Sequence, residues 1–236
     1  MAQGIITSTT RPSRESLADS IYAILFQQIV EGVIQADSAM NIDSLSRDLG
    51  VSPTPIREAL ARLESTGLVV REALRGYRAA PLFTTEQLLL MMDARATIEP
   101  SLARLASLHA DPGFIGAMRA NLRSMREMSA SGGGDTGYAQ YRDTDEAFHD
   151  LIASQSGNPF LKRAFESIEA HVHRFRLFGP LGRSDVEDAL REHTQIFEAI
   201  ERGDADAAFL AMQSHIELAR QRSVQDREKL AGGQST

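Results

Sequence analysis

Apolar residues recur three and four positions apart over three short stretches near the N-terminus. Ile21, Leu25, Phe26 and Ile29 share one face of a helix that Ser16 caps and Gly32 ends. Residues 33–40 form a connector. Leu45 and Leu49 mark a second, short helix capped by Asp43 or Ser44. Gly50 supplies a sharp turn, because glycine takes positive φ without strain, and Val51 plugs the space between helices. Ser52-Pro53-Thr54-Pro55 opens a third helix, where a proline in the first turn costs no hydrogen bond. Ile56, Leu60 and Leu63 then face inward and Gly67 ends the run. From there residues 68–71 and 77–81 read as two strands around a tip at Leu74-Arg75-Gly76.

Beyond residue 82 the spacing is helical throughout. Thr84 or Thr85 caps a long helix through Leu88, Met91, Met92, Ile98, Leu102 and Leu105, and Asp111-Pro112-Gly113 breaks it. Helices follow over about 114–130, 138–155 and 160–178. They are separated by a flexible SGGGDTG connector at 131–137 and by Gly157-Asn158-Pro159. After the breaker at 179–182, Ser184 caps a fifth helix to about 202, and Asp204 caps a sixth to about 229. The expected fold is mainly α: a winged helix-turn-helix, then an antiparallel bundle of six or seven helices. Residues 1–13 read as a flexible N-terminus, 14–82 and 83–231 as the two domains, and 232–236 as a disordered tail.

Composition narrows the class. The chain has 236 residues and no cysteine, which excludes a disulfide framework and thiolate metal sites. The N-terminus has no signal-peptide core and no apolar run approaches a membrane span, so a cytoplasmic protein with no membrane partner is expected. Net charge is −7. Residues 1–82 hold 8 arginines and 9 acids, and the remainder 17 basic and 23 acidic residues. Charge alone therefore does not advertise nucleic acid. Between residues 54 and 78 the balance turns positive through Arg57, Arg62, Arg71, Arg75 and Arg78.

Helix, tight turn, helix and hairpin together describe a unit whose usual work is to set one helix in the DNA major groove. Ser52 and Thr54 sit at that helix's N-terminus, where hydroxyls and free N–H groups meet phosphate oxygens. The segment GVSPTPIREALARLESTGLV closely resembles the recognition segment of GntR-type bacterial transcription regulators, over about residues 14–82. The resemblance implies that Ser52, Thr54, Arg57 and the wing residues Arg75 and Gly76 contact an operator in double-stranded DNA. Two departures each remove a positive contact: Pro53 stands where an arginine is usual, and Asp43 where some members are basic. The operator sequence or affinity is expected to differ accordingly.

In the second domain Asp145 and His149 are four apart on one helix face. His193 and His215 lie on the apolar sides of the last two helices. Three imidazoles and a carboxylate suit Zn²⁺, Ni²⁺ or Mn²⁺. On spacing alone, each histidine is more often a hydrogen-bonded core residue than a ligand. Residues 95–106, 143–161 and 192–216 resemble the ligand-binding bundle of the FadR-like branch, the FCD domain. The resemblance implies that Asp145, His149, His193 and His215 hold a divalent transition metal, zinc first, at the floor of an effector cavity. It also implies that Arg95 clamps an effector carboxylate, a role suited to the bidentate guanidinium; the alternative for Arg95 is a salt bridge to Glu99. Asn158 is a further effector candidate, weighed against a turn role before Pro159. His171 and His173 belong to no constellation.

The function expected is a metabolite-responsive homodimeric repressor, not an enzyme, that releases its operator when a small carboxylate or sugar acid binds the bundle. The alternative is a metal-dependent enzyme acting on a small organic acid, since such an ion can support metal-bound water chemistry.

Overall fold

A computed structural model describes residues 17–73, 75–130, 135–177 and 186–233. The chain divides into two compact units, Met1–Ala80 and Pro81–Thr236. The N-terminal unit runs α1 (Leu17–Val30), β1 (Ala39–Met40), α2 (Ile42–Leu49), α3 (Pro53–Ser65), β2 (Val69–Glu72) and β3 (Gly76–Ala79). Ile21, Leu25 and Ile29 on α1 are buried, as are Ile56, Leu60 and Leu63 on α3, and the two helices pack together. Arg62 adds a polar clasp. Its Nη1 lies 2.5 Å from Asp19 Oδ1, and its guanidinium covers the Tyr22 ring at 4.3 Å.

The turn between α2 and α3 is built as its residues predict. Gly50 sits at φ 67°, ψ 30°, a left-handed conformation costly for any residue with a Cβ. Ser52 is extended, with Pro53 opening α3. Two details differ from expectation. Neither Asp43 nor Ser44 caps α2: Asn41 is the cap, its Oδ1 accepting from the Ser44 N–H at 3.0 Å. The helix starts two or three residues earlier, which puts Asp43 in the first turn, where its charge favours the helix dipole. The connector at 33–40 also ends in a strand. β1 pairs antiparallel with β3 (Ala39 opposite Arg78, Met40 opposite Tyr77), so the wing is a three-stranded sheet in the order β1-β3-β2. Two residues have no period of their own; only pairing makes them a strand. β2 and β3 match the expected hairpin with ends shifted by one or two residues.

The C-terminal unit contains α4 (Thr85–Leu108), α5 (Pro112–Ala130), α6 (Asp135–Gln155), α7 (Pro159–Leu177), α8 (Val186–Glu201) and α9 (Ala205–Gly233). Thr84 caps α4 in a capping box with Gln87. Asp111, Asn158 and Asp204 each accept a backbone N–H at the start of α5, α7 and α9. Two boundaries move. Residues 135–137 belong to α6 rather than to a connector, and Gly232 and Gly233 extend α9 into the expected tail. The expected cap residues Ser16 and Ser184, the tip residue Leu74, the breaker at 179–182 and most of the N-terminal and tail segments lie outside the described residues. α4 packs against α6, α7, α8 and α9. Its buried residues therefore spread around the helix instead of forming one stripe, and Leu88, Met92 and Leu102 join Phe148, Ile152, Ile196, Met212 and Ile216 in one core.

Substituting Asn41→Ala should cost about 1 kcal/mol of stability, the usual loss for an N-cap. Asp43→Ala, which removes only a first-turn charge, should cost a few tenths at most. Urea denaturation of the two variants checks which residue caps the helix.

Candidate metal centre and nucleic-acid face

With Ile56, Leu60 and Leu63 turned inward, α3 presents Ser52, Thr54 and Arg57 to solvent. Ser52 makes no side-chain cap hydrogen bond, so its hydroxyl stays available beside the helix N-terminus. Arg75 and Gly76 are exposed at the start of β3. The five arginines of this region are not equivalent. Arg62 is committed to Asp19 and Tyr22, and Arg78 to Asp37 and Glu72. Arg71 lies 5.9 Å from the Tyr77 ring centre. Among the described residues, the side chains of Arg57 and Arg75 form no ion pair. Asp43 is exposed and its carbonyl accepts from Arg47 Nε at 3.3 Å. Pro53 is also exposed and has no N–H to offer.

In the bundle, α6 carries Asp145 and His149, α8 carries His193 and α9 carries His215. The three helices bring these residues together, all at most 4% exposed. Ligand atoms of the three histidines lie within 4.8 Å of one another. His193 Nε2 is 3.4 Å from His215 Nε2 and 3.5 Å from Asp145 Oδ1. Phe148, one residue before His149, stacks on the His193 ring with centroids 4.0 Å apart and planes 3° apart, which fixes that ring.

Carboxylates aim the other two rings. Glu192 Oε2 meets His215 Nδ1 at 2.8 Å, and Arg222 holds the same carboxylate through two hydrogen bonds of 2.7 and 3.0 Å. Glu99 Oε2 lies 2.6 Å from His149 Nδ1, and its other oxygen accepts from Arg95 Nε at 2.6 Å. With both Nδ1 atoms facing carboxylates, the Nε2 atoms turn inward. His149 Nε2 is buried and makes no hydrogen bond. A buried imidazole nitrogen left without a proton partner, beside two more imidazoles and a carboxylate, fits the donor set of a divalent transition metal. Glu99, Glu192 and Arg222 are the residues that sequence reasoning missed in this role. Arg222 is seven residues from His215, two turns along the same helix face; nothing in sequence links Glu99 to His149.

Charge follows this geometry. Burial pushes His215 down to about 4 against the pull of Glu192, so the ring stays neutral, the form that ligates. Burial alone would raise Glu99, but Arg95 and His149 reverse that and hold it well below the usual carboxylate range. Glu192 is likewise lowered: burial opposes, and the hydrogen bonds from His215 and Arg222 prevail.

Next to the histidines lies a small cavity of about 20 Å³, lined on α4 by Arg95, Ile98 and Glu99, on α6 by Asp145, Glu146 and His149, and on α7 by Phe165, Ile168, Glu169 and Val172. Arg95 forms the buried pair with Glu99 and also lines the cavity. Asn158 does not line it; its Oδ1 accepts from the N–H groups of Phe160 and Leu161 and caps α7. His171 packs against Phe83 and is not among the grouped histidines, and the His173 side chain lies outside the described residues. Burial and the neighbouring Glu146, Glu99 and Asp150 push the Glu169 carboxyl up to about 9.

Comparison with known proteins places both halves. Residues 17–78 match the gntR family of bacterial regulatory proteins, and residues 90–218 match the FCD domain. The HTH-type transcriptional regulator YdhC of Bacillus subtilis is 27% identical over 187 residues, covering 79% of this chain and 82% of the relative. A probable D-xylose utilization operon transcriptional repressor of Paenarthrobacter nicotinovorans is 26% identical over 215 residues, 89% of each chain. The solved structure of E. coli McbR/YncC shares the fold with a TM-score of 0.76 at 18% identity, over 90% of this chain and 99% of that one.

The raised Glu169 gives a pH prediction. An acid whose folded-state value lies above its ordinary 4.5 contributes stability that is complete at acid pH and lost as the pH climbs toward 9. Glu169→Gln removes that loss. Melting temperatures of the metal-free variant should exceed those of the parent near pH 8.5 and converge with them near pH 5.

Proposed function

The chain belongs to the gntR family of bacterial transcriptional regulators, with an FCD domain behind its winged helix-turn-helix, and on that premise we propose that it is a metabolite-responsive repressor whose operator binding is set by a small carboxylate held at a metal centre in the bundle. It is a regulator and not an enzyme, as are the relatives it resembles by name. The observation that carries the proposal is the convergence of three buried histidines beside a cavity lined by Arg95.

Asp145, His149, His193 and His215 would hold the ion, with zinc first and nickel or manganese as alternatives. When bound, such an ion supplies open coordination positions for a carboxylate. Arg95 keeps its Nε on Glu99 and its Nη1 beside the Met92 sulfur, and it lines the cavity, where its guanidinium can pair with the same carboxylate. The cavity is smaller than an organic acid, so binding has to displace the side chains that fill it. Arg95 and Glu99 ride on α4, which packs against four other helices and is the first helix after the boundary between units. A shift there biases the populations of operator-competent and operator-free states.

On the DNA side, Ser52 and Thr54 position the α3 N-terminus on phosphates, Arg57 reaches base edges, and Arg75 with Gly76 serves the wing. Two copies as a homodimer would match the two halves of a pseudo-palindromic operator. Among the described residues no helix is long and apolar enough to cross a membrane, in keeping with a cytoplasmic site of action.

Arg57→Ala should weaken operator binding about tenfold or more in a gel shift at fixed salt; unchanged binding would remove α3 as the reading helix. The double variant His193→Ala, His215→Ala should lose bound metal by elemental analysis. Glu192→Ala should bind metal roughly 10–100-fold more weakly in chelator competition. Full metal retention in the double variant would move the site elsewhere.

A further inference from the structure

The charges lining the cavity do not match a simple anion. Its polar wall consists of Arg95, Glu99, Asp145, Glu146, His149 and Glu169. That is four carboxyl groups against one guanidinium. Arg95 is already paired with Glu99 at 2.6 Å. With Glu169 holding its proton, the other three carboxylates balance Arg95 and a divalent ion beside Asp145. A monocarboxylate entering alone would leave one negative charge in excess.

Glu169 stands out. Glu99 is answered by Arg95, and Asp145 lies among the histidines. Among the described residues Glu169 forms no ion pair. Burial first, and then the carboxylates of Glu146, Glu99 and Asp150, outweigh the pull of Arg95 and hold its proton on. Phe165, Ile168 and Val172 flank it on the same face of α7. Such apolar neighbours exclude water and strengthen any ion pair formed there. His149, 4% exposed, lines the same wall, so the cavity borders the proposed metal centre.

We infer that the effector carries an ammonium group besides its carboxylate, as an amino acid does, and that Glu169 recognises the ammonium. This rests on the proposed carboxylate effector. The carboxylate goes to the metal and Arg95, the ammonium to Glu169, and the carbon skeleton to Ile98, Phe165, Ile168 and Val172. A zwitterion leaves the charge of the wall unchanged, and its ammonium gives Glu169 a partner that favours its ionised form.

The test uses the full chain loaded with zinc, its metal content measured first. Calorimetry and thermal shift compare alanine, serine, valine, leucine and aspartate with the 2-hydroxy acids of the same skeletons. At least one amino acid should bind on the order of tenfold more tightly than its hydroxy counterpart, the size of a hydrogen-bonded charge contact. Glu169→Gln should abolish that preference and leave hydroxy-acid binding equal or stronger, because the amide keeps a donor but cannot ionise to meet an ammonium. Hydroxy acids binding as tightly as amino acids, or a preference that survives Glu169→Gln, overturns the inference and leaves the carboxylate reading standing. Absence of binding by either series overturns both.

Discussion

Buried imidazole and carboxylate groups have to answer one another's charge inside an apolar bundle, and the arrangement around the histidines follows from that requirement. Two chains of contacts meet it. One runs from Arg95 through Glu99 to His149, the other from Arg222 through Glu192 to His215. Each places a carboxylate between a guanidinium and an imidazole, which is the arrangement that makes an internal ion pair tolerable. Each also commits one ring nitrogen to the outside of the cluster and turns the other inward. The third imidazole is held differently, by the flat face of Phe148. A core of leucines and methionines would be easier to stabilise. A polar centre this deep is retained at a cost, which favours function over packing as its reason.

The same constraint explains why the cavity and the histidines are not separable. Glu99 touches His149 with one oxygen and Arg95 with the other. Whatever displaces Arg95 changes the field at a ligand ring, and whatever binds the rings changes the hold on Arg95. Under the proposed function, coupling between an effector and a metal would run through one buried carboxylate on α4, and α4 touches four helices of the bundle. Reciprocal coupling of this kind is what an effector-controlled regulator needs.

The DNA-reading unit works with little charge. Of five arginines between residues 57 and 78, Arg62 and Arg78 serve the fold. Under the proposed function, operator affinity would rest on Arg57, Arg75 and the helix N-terminus rather than on a broad basic surface. A protein that neutralises few phosphates has a shallow salt dependence and leans on paired half-sites for tight binding.

Local rules carried the N-terminal unit. Prolines at 53 and 55, glycines at 50 and 67 and the 56-60-63 spacing each constrain neighbouring backbone, so the turn, the reading helix and the hairpin were legible residue by residue. β1 was not, because two residues acquire strand character only from a partner 37 to 39 positions away. The cap of α2 was misread by two or three residues, since several capping side chains stood in a row. In the bundle, helix periods were readable from spacing, and the family likeness marked Asp145, His149, His193 and His215. What the sequence by itself determined is thus the elements, their polarity and the residue types able to ligate. Only the tertiary structure decided that Glu99 and Glu192 aim two of those rings, that Asn158 is spent on a helix cap, and that Glu169 sits among like charges. Those are contacts between helices, and no periodicity within one helix can specify which face of another it meets.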